Sequence, residues 1–218
     1  MRLPIHKEGW PFIAIAVAAN AALFALWGWA GWLFLPLTLW TVAFFRDPER
    51  RAPPGANLIL SPADGKLLPV ARAAPPAELG LGAAPRTRLS IFMNIFNVHV
   101  NRNPASGTIT ALAYRPGKFF NASFDKASAD NERMSVGVRL EGPGVTGQEL
   151  IVVQIAGLIA RRIKCDLRKG QSVCRGDRFG IIRFGSRLDV YLPDGARVVA
   201  KEGQTTRAGE TVLAELPG

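Results

Sequence analysis

From residue 9 to residue 45 the chain carries no Lys, Arg, Asp or Glu. As one helix those 37 residues would run about 55 Å, against roughly 30 Å of bilayer hydrocarbon. One straight span is a poor fit. The stretch predicts two short spans, residues 10–28 and 31–45, turning at Gly28-Trp29-Ala30-Gly31. Arg2 and Lys7 precede it, and Arg46, Arg50 and Arg51 follow it. Basic flanks favour the cytoplasmic side, so a hairpin with both ends in the cytoplasm satisfies them. Several of Trp10, Trp27, Trp29, Trp32 and Trp40 suit the membrane interface, and Pro36 tilts or kinks the second arm. A cleavable signal peptide ending near Ala19-Asn20-Ala21 is the competing reading. It would still leave a second apolar segment to hold the protein on a membrane.

Beyond Arg50-Arg51-Ala52-Pro53-Pro54-Gly55, which reads as a stiff linker over residues 50–56, the pattern changes to short strands separated by Gly and Pro. Strands are expected at 66–72, 87–95, 106–115, 133–140, 148–163 in two pieces, 179–184, 187–192, 196–200 and 211–215. Residues 73–86, rich in Ala, Pro and Gly, predict a surface loop, and 117–131 a long functional loop. Gly170-Gln171-Ser172-Val173-Cys174-Arg175-Gly176-Asp177 is echoed in outline by Gly203-Gln204-Thr205-Thr206-Arg207-Ala208-Gly209-Glu210. Such Gly-bounded turns feeding apolar strands also occur in lipoyl and biotinyl carrier folds. The expected fold is mainly β: a compact β sandwich of lipoyl-like, barrel-sandwich character over 57–218, behind an N-terminal hydrophobic helical hairpin over 1–49.

The net charge of +10 suits an anionic partner. No zinc-finger spacing, helix-turn-helix or aromatic RNA-binding motif is visible, so an acidic lipid surface beside the apolar segment is favoured over nucleic acid. Cys165 and Cys174 match no usual zinc spacing, and His6 and His99 are the only histidines, so no metal site is expected. Both thiols are expected reduced and semi-buried.

Three short frames stand out. In Ser61-Pro62-Ala63-Asp64-Gly65, Asp64 reads first as a turn residue. In Phe96-Asn97-Val98-His99-Val100-Asn101, strand alternation puts Asn97 and His99 on one face, where a histidine is commonly a plain polar-side residue. In Phe184-Gly185-Ser186-Arg187, a Gly-Ser pair inside a β region is commonly a bulge or a corner. Each also has a chemical reading. A serine can attack the carbonyl before it when a glycine lets the backbone turn, a histidine near neutral pKa can act as its base, and an aspartate can orient that histidine.

Taken together, these frames with Phe45-Arg46-Asp47-Pro48-Glu49-Arg50 and the apolar N-terminus resemble the phosphatidylserine decarboxylase family in its short bacterial form. The resemblance covers nearly the whole chain. It implies self-cleavage between Gly185 and Ser186 into chains 1–185 and 186–218, held together as a heterodimer. It also implies conversion of Ser186 to a covalent pyruvoyl cofactor, with His99 and Asp64 assisting. That group would draw electrons from the Cα–carboxylate bond of phosphatidylserine, releasing carbon dioxide and leaving phosphatidylethanolamine. An enzyme at the inner cell membrane, its catalytic domain cytoplasmic, is the expectation. Long-form members carry Gly-Ser-Thr and a further His; here Arg187 follows Ser186 and Phe96 stands in place of that His.

Two other readings stand beside it. A membrane-tethered serine peptidase would use Ser186, His99 and Asp64 on other proteins, although Gly-x-Ser-x-Gly is absent because Leu188 follows Arg187. A lipoyl-like carrier or adaptor would use Lys126 in Asp125-Lys126-Ala127. That lysine sits in a Phe- and Asn-rich loop with Phe119, Phe120 and Phe124 and reads equally as a solvated charge or a head-group contact.

Overall fold

The computed structural model describes residues 4–120, 130–142, 145–157, 162–183 and 185–217. They fall into two compact units, Met1–Glu49 with Phe96–Val98, and Arg50–Ile95 with His99–Gly218. Lys126, Phe124 and Phe184 lie outside the described residues.

The first unit is built on one apolar helical segment, Trp10–Phe44, whose backbone leaves helical angles at Trp27 (φ −144°, ψ 68°). That break turns the chain back on itself. Asn20 Nδ2 donates to Thr38 Oγ1 at 3.1 Å, although eighteen residues of straight helix would separate them by about 27 Å. The rings of Phe12 and Phe45 stack at 5.3 Å, and His6 N–H donates to the Phe45 carbonyl at 2.9 Å. The helical hairpin is therefore present, with arms over 10–26 and 28–44. Each arm is about 26 Å long, short enough for a thin span. Where the arms cross, a side chain on Gly31 would collide with the Phe24 ring, so glycine is needed there for close approach. The segment is long and apolar enough to cross a membrane. Asn20 and Thr38, its polar interior residues, are buried against each other, as a lipid-facing helix requires.

The second unit is mainly β, and strand outweighs helix among the described residues by 38% to 21%. In chain order its strands are β1 (Leu58–Leu60), β2 (Gly65–Leu67), β3 (Ala71–Ala73), β4 (Arg86–Met93), β5 (Val100–Arg102), β6 (Gly107–Arg115), β7 (Arg133–Leu140) and β8 (Glu149–Ala156). There follow β9 (Arg162–Cys165), β10 (Ser172–Val173), β11 (Arg178–Arg183), β12 (Ser186–Tyr191), β13 (Arg197–Val198), β14 (Thr205–Thr206) and β15 (Val212–Glu215). The main sheet runs β10-β6-β7-β8-β12-β4-β2-β14, with β3 also on β4. Two three-stranded sheets, β1-β15-β13 and β5-β11-β9, complete the unit. Every named strand pairing is antiparallel.

Strict alternation does not describe β8 (Glu-Leu-Ile-Val-Val-Gln-Ile-Ala), because both of its faces are buried. Leu150, Val152 and Ala156 join the larger core with Ile91, Met93, Leu188 and Val190. Ile151, Val153 and Ile155 join a smaller core with Leu79 and Tyr191. That second face is covered by the stretch expected to be a surface loop. Pro75, Pro76 and Leu79 are buried, and a 3₁₀ turn at Ala77–Leu79 brings Glu78 onto β7. The apolar spacing in 73–86 is too sparse to show as periodicity, yet one Leu and one carboxylate suffice to seal a narrow strip. The echoed segments become the two-residue strands β10 and β14 at opposite ends of the main sheet. Each is bounded by glycines at positive φ: Gly170 and Gly176, Gly203 and Gly209.

Glu78 takes a fork from Arg133 (Nε to Oε1 2.6 Å, Nη2 to Oε2 2.7 Å) and the Ser135 hydroxyl at 2.9 Å. Burial pushes its carboxyl up, but the Arg133 and backbone hydrogen bonds, Ser135 and the Arg133 charge outweigh this and hold it below the ordinary value. A depressed carboxylate contributes stability above its unfolded value, and loses it as pH falls through the folded value. Glu78→Gln should therefore destabilise by about 1–3 kcal/mol at pH 7. The gap should shrink as the pH is taken below the carboxylate range. Urea unfolding of the detergent-solubilised protein across that range reads the effect, and a gap independent of pH would contradict it.

Candidate active site

Ser186 opens β12, the strand held at both edges, opposite Met93 of β4 and Ala156 of β8. Its side chain is wholly buried, and Oγ finds no hydrogen-bond partner among the described residues. An unsatisfied buried hydroxyl costs roughly 1–3 kcal/mol, so its presence wants a reason. The residue before it, Gly185, has φ +70°, the left-handed region open to glycine. The chain thus turns sharply one residue before a rigid strand begins. Gly185 N–H donates to His99 Nε2 over a long 3.4 Å. That contact sets the imidazole beside the Gly185 amide, one residue before Ser186. His99 is itself fully buried, in the turn that leads into β5.

Asp64 lies in the turn between β1 and β2. Continuing the β2–β4 register (Lys66 opposite Phe92, Leu67 opposite Ile91) sets Gly65 beside Met93, the residue facing Ser186. Two strand spacings, about 10 Å, separate that turn from Ser186. Gly65 is required here, since a Cβ would strike the Phe92 carbonyl. The Asp64 carboxylate has its own partners: Ala208 N–H donates to Oδ1 at 2.7 Å and Arg50 Nη2 to Oδ2 at 2.9 Å. Arg50 Nη1 also donates to Glu210 at 3.2 Å. The structure thus brings Gly185, the residue before Ser186, into contact with His99, and ties Asp64 to Arg50 and the Ala208 amide.

Three further groups surround Ser186. Gln154 faces Leu188 across the β8–β12 pair, so it is the diagonal neighbour of Ser186 on the same face. Its Nε2 donates to Asn101 Oδ1 at 2.8 Å, and Asn101 Nδ2 lies 4.0 Å from Met93 Sδ. At the other side, Asn131 Nδ2 donates to the Ala156 carbonyl at 2.7 Å and to the Phe120 carbonyl at 2.8 Å. The long loop, whose interior 121–129 is outside the described residues, is thereby rooted at the partner of Ser186. Sequence reading passed over these residues. The signals were there: Asn101 stands two positions after His99 and shares its face, and Gln154 is the one polar residue inside Leu-Ile-Val-Val-Gln-Ile-Ala.

The opposite face of β12 carries a dry ion pair. Arg187 Nε and Nη2 donate to the two Asp189 oxygens at 2.6 and 3.0 Å, and Nη2 also to Ser90 Oγ at 2.9 Å. Both side chains are buried. Burial, then the Asp189 charge, pushes the nearby Tyr191 phenol up. A buried fork of this kind holds geometry more than it adds stability. Here it fixes the strand that starts at Ser186. Cys165 and Cys174 are free; Cys165 is half-buried, with its thiol pushed up chiefly by burial, while Cys174 is exposed where a semi-buried thiol was expected.

A family model described as phosphatidylserine decarboxylase matches residues 37–214. The chain is 55% identical over 213 residues to a phosphatidylserine decarboxylase proenzyme of Paramagnetospirillum magneticum, covering 98% of this chain and 87% of that protein. Proteins of the same description from Cereibacter sphaeroides and Ruegeria pomeroyi are each 54% identical over 98% of this chain, which spans 90% and 95% of their lengths.

Proposed function

Since this chain belongs to the phosphatidylserine decarboxylase family, we propose that it cuts itself between Gly185 and Ser186 and then decarboxylates phosphatidylserine to phosphatidylethanolamine. The observation that carries the reading is the buried, unpartnered Ser186 Oγ, set directly after a left-handed glycine whose amide faces His99. In the cleavage, Ser186 Oγ attacks the Gly185 carbonyl carbon and its proton passes to His99 Nε2. The Gly185–Ser186 C–N bond breaks, leaving an ester. Loss of the Ser186 α-proton and rupture of the Cβ–Oγ bond free the Gly185 carboxylate and leave a dehydroalanine. Water then replaces its nitrogen, releasing ammonia, and position 186 becomes a pyruvoyl group.

The residues present fit such a group: its precursor hydroxyl is buried, unengaged and on a strand pinned on both edges. Bound there, it supplies an electron sink for an α-amino acid losing carbon dioxide. His99 is placed to hold or return a proton at the 186 side chain. Asp64, locked by Arg50 and Ala208 N–H, keeps a negative charge in the turn beside β4 and steadies the imidazole cation through the field of the site. The small chain would carry β12 to β15, each paired with strands of the large chain or with one another, so the two would remain a heterodimer after the cut. Membership of the decarboxylase family counts against a peptidase acting on other proteins. The carrier alternative rests on Lys126 alone.

Ser186→Ala should remain one chain and be inactive, because no hydroxyl remains to attack. His99→Ala should accumulate the uncut chain, with cleavage slowed by about 100-fold or more, the usual worth of a positioned base. Denaturing gels over time read both, and normal cleavage in either variant would sink the assignment.

We propose that the catalytic unit works at the cytoplasmic face of the inner membrane; the apolar helical segment, its basic flanks and the net +10 charge, suited to acidic lipid, support this reading. Tags at Met1 and Gly218 should both be accessible from the cytoplasm and from neither periplasmic protease nor impermeant label. Labelling of the two ends from opposite sides would overturn it.

A further inference from the structure

A second polar atom at this site is stranded in the same way as the Ser186 hydroxyl. Gln154 is wholly buried, and its Oε1 has no hydrogen-bond donor among the described residues. Gln154 on β8 and Met93 on β4 flank β12 from its two sides, and Asn101 touches both. The Asn101–Gln154 amide pair therefore lies across β12 at the level of Ser186 and Leu188. Asn101 offers its NH₂ group to the Met93 sulfur, a weak acceptor. That choice turns the Asn101 carbonyl to the Gln154 NH₂ group and leaves the Gln154 oxygen unpartnered, on the sheet face it shares with Ser186.

We propose that Gln154, held by Asn101, is the subsite that receives the amino group of the lipid substrate. This rests on the decarboxylase reading above. A side-chain amide oxygen accepts and cannot donate. The phosphate and the ionised carboxylate of a phosphatidylserine head group are also acceptors, so neither can satisfy it. The amine is the one donor that such a fully acylated head group brings. After self-cleavage the 186 side chain has lost its hydroxyl proton as well, so positions 186 and 154 then present two acceptors on one face of the sheet. An amine N–H meets both needs, and places the amine nitrogen beside position 186, where it must react. Leaving a buried acceptor unpaired also discriminates against head groups that lack an amine, since they would strand it again.

The test uses full-length protein in mixed detergent–phosphatidylserine micelles. Three things are measured: the fraction of chain cleaved, the melting temperature, and the lipid concentration that half-saturates hydride trapping of the lipid amine on the small chain, read by intact mass. Gln154→Met keeps the volume and removes the acceptor; Gln154→Glu keeps an acceptor. The methionine variant should cleave fully, melt near wild type and need roughly 10- to 100-fold more lipid for half-saturation. Phosphatidylethanolamine, which keeps the amine and lacks the carboxylate, should shift by the same factor. The glutamate variant should trap at wild-type lipid concentrations or lower. Unchanged half-saturation in Gln154→Met overturns the proposal, as does loss of trapping in Gln154→Glu, which would mean that the site needs a donor. An uncleaved Gln154→Met chain also overturns it, assigning the residue to self-cleavage. Wild-type protein that cleaves but captures no lipid amine defeats the decarboxylase reading itself, whatever Gln154 does.

Discussion

Everything at the site depends on how tightly β12 is held. Six residues pair on one edge with β4 and on the other with β8, and all six are buried. Leu188 and Val190 fill one core from below, and the Arg187–Asp189 fork closes the other face. A strand so fixed cannot yield when the turn before it is strained, so the left-handed Gly185 takes up the whole change of direction. This puts the Gly185-Ser186 peptide, the proposed cleavage site, at the boundary between a rigid element and a tight turn. It also means that a cut there removes one covalent bond and leaves the pairing of both edges in place.

Polar groups inside such a sheet are costly unless paired. Most of those near Ser186 are paired: Asp64, Asn131, Arg187 and Asp189 each have short, well-placed partners. Ser186 Oγ and Gln154 Oε1 stand apart, and they are neighbours on one face. The contrast separates scaffold from machinery. The paired groups set positions, and the stranded ones are the two to which the proposed reaction and substrate assign a role. Asp64 sits on the scaffold side of that line, since its two oxygens are taken up by Arg50 and Ala208.

Much of this was legible in the sequence, for identifiable reasons. The hairpin followed from a charge-free run too long for one span, although the break falls at Trp27, just before the expected Gly28–Gly31 turn, and Gly31 instead lets the second arm approach Phe24. Long strands with apolar stretches, such as β4, β6, β7 and β12, showed plainly. The strands that escaped notice, β1, β5, β10 and β14, have two or three residues each, too few for a period to register. Residues 73–86 looked like surface because composition cannot reveal that one leucine and one glutamate close a sheet face. Gly185, Ser186 and His99 were singled out by their frames. Asn101 and Gln154 carry only faint local signals, and Arg50 and Asn131 none, because all four act through contacts between segments distant in the chain.

The central claim is that Ser186 is consumed to make the reactive group. Intact mass of the purified wild-type protein tests it most directly. The account predicts two chains: one ending at Gly185 with an ordinary carboxylate, and one starting at position 186 that lacks a free amino terminus and is lighter by one ammonia than the plain 186–218 peptide. A protein that releases carbon dioxide from phosphatidylserine while remaining a single chain of 218 residues would contradict it.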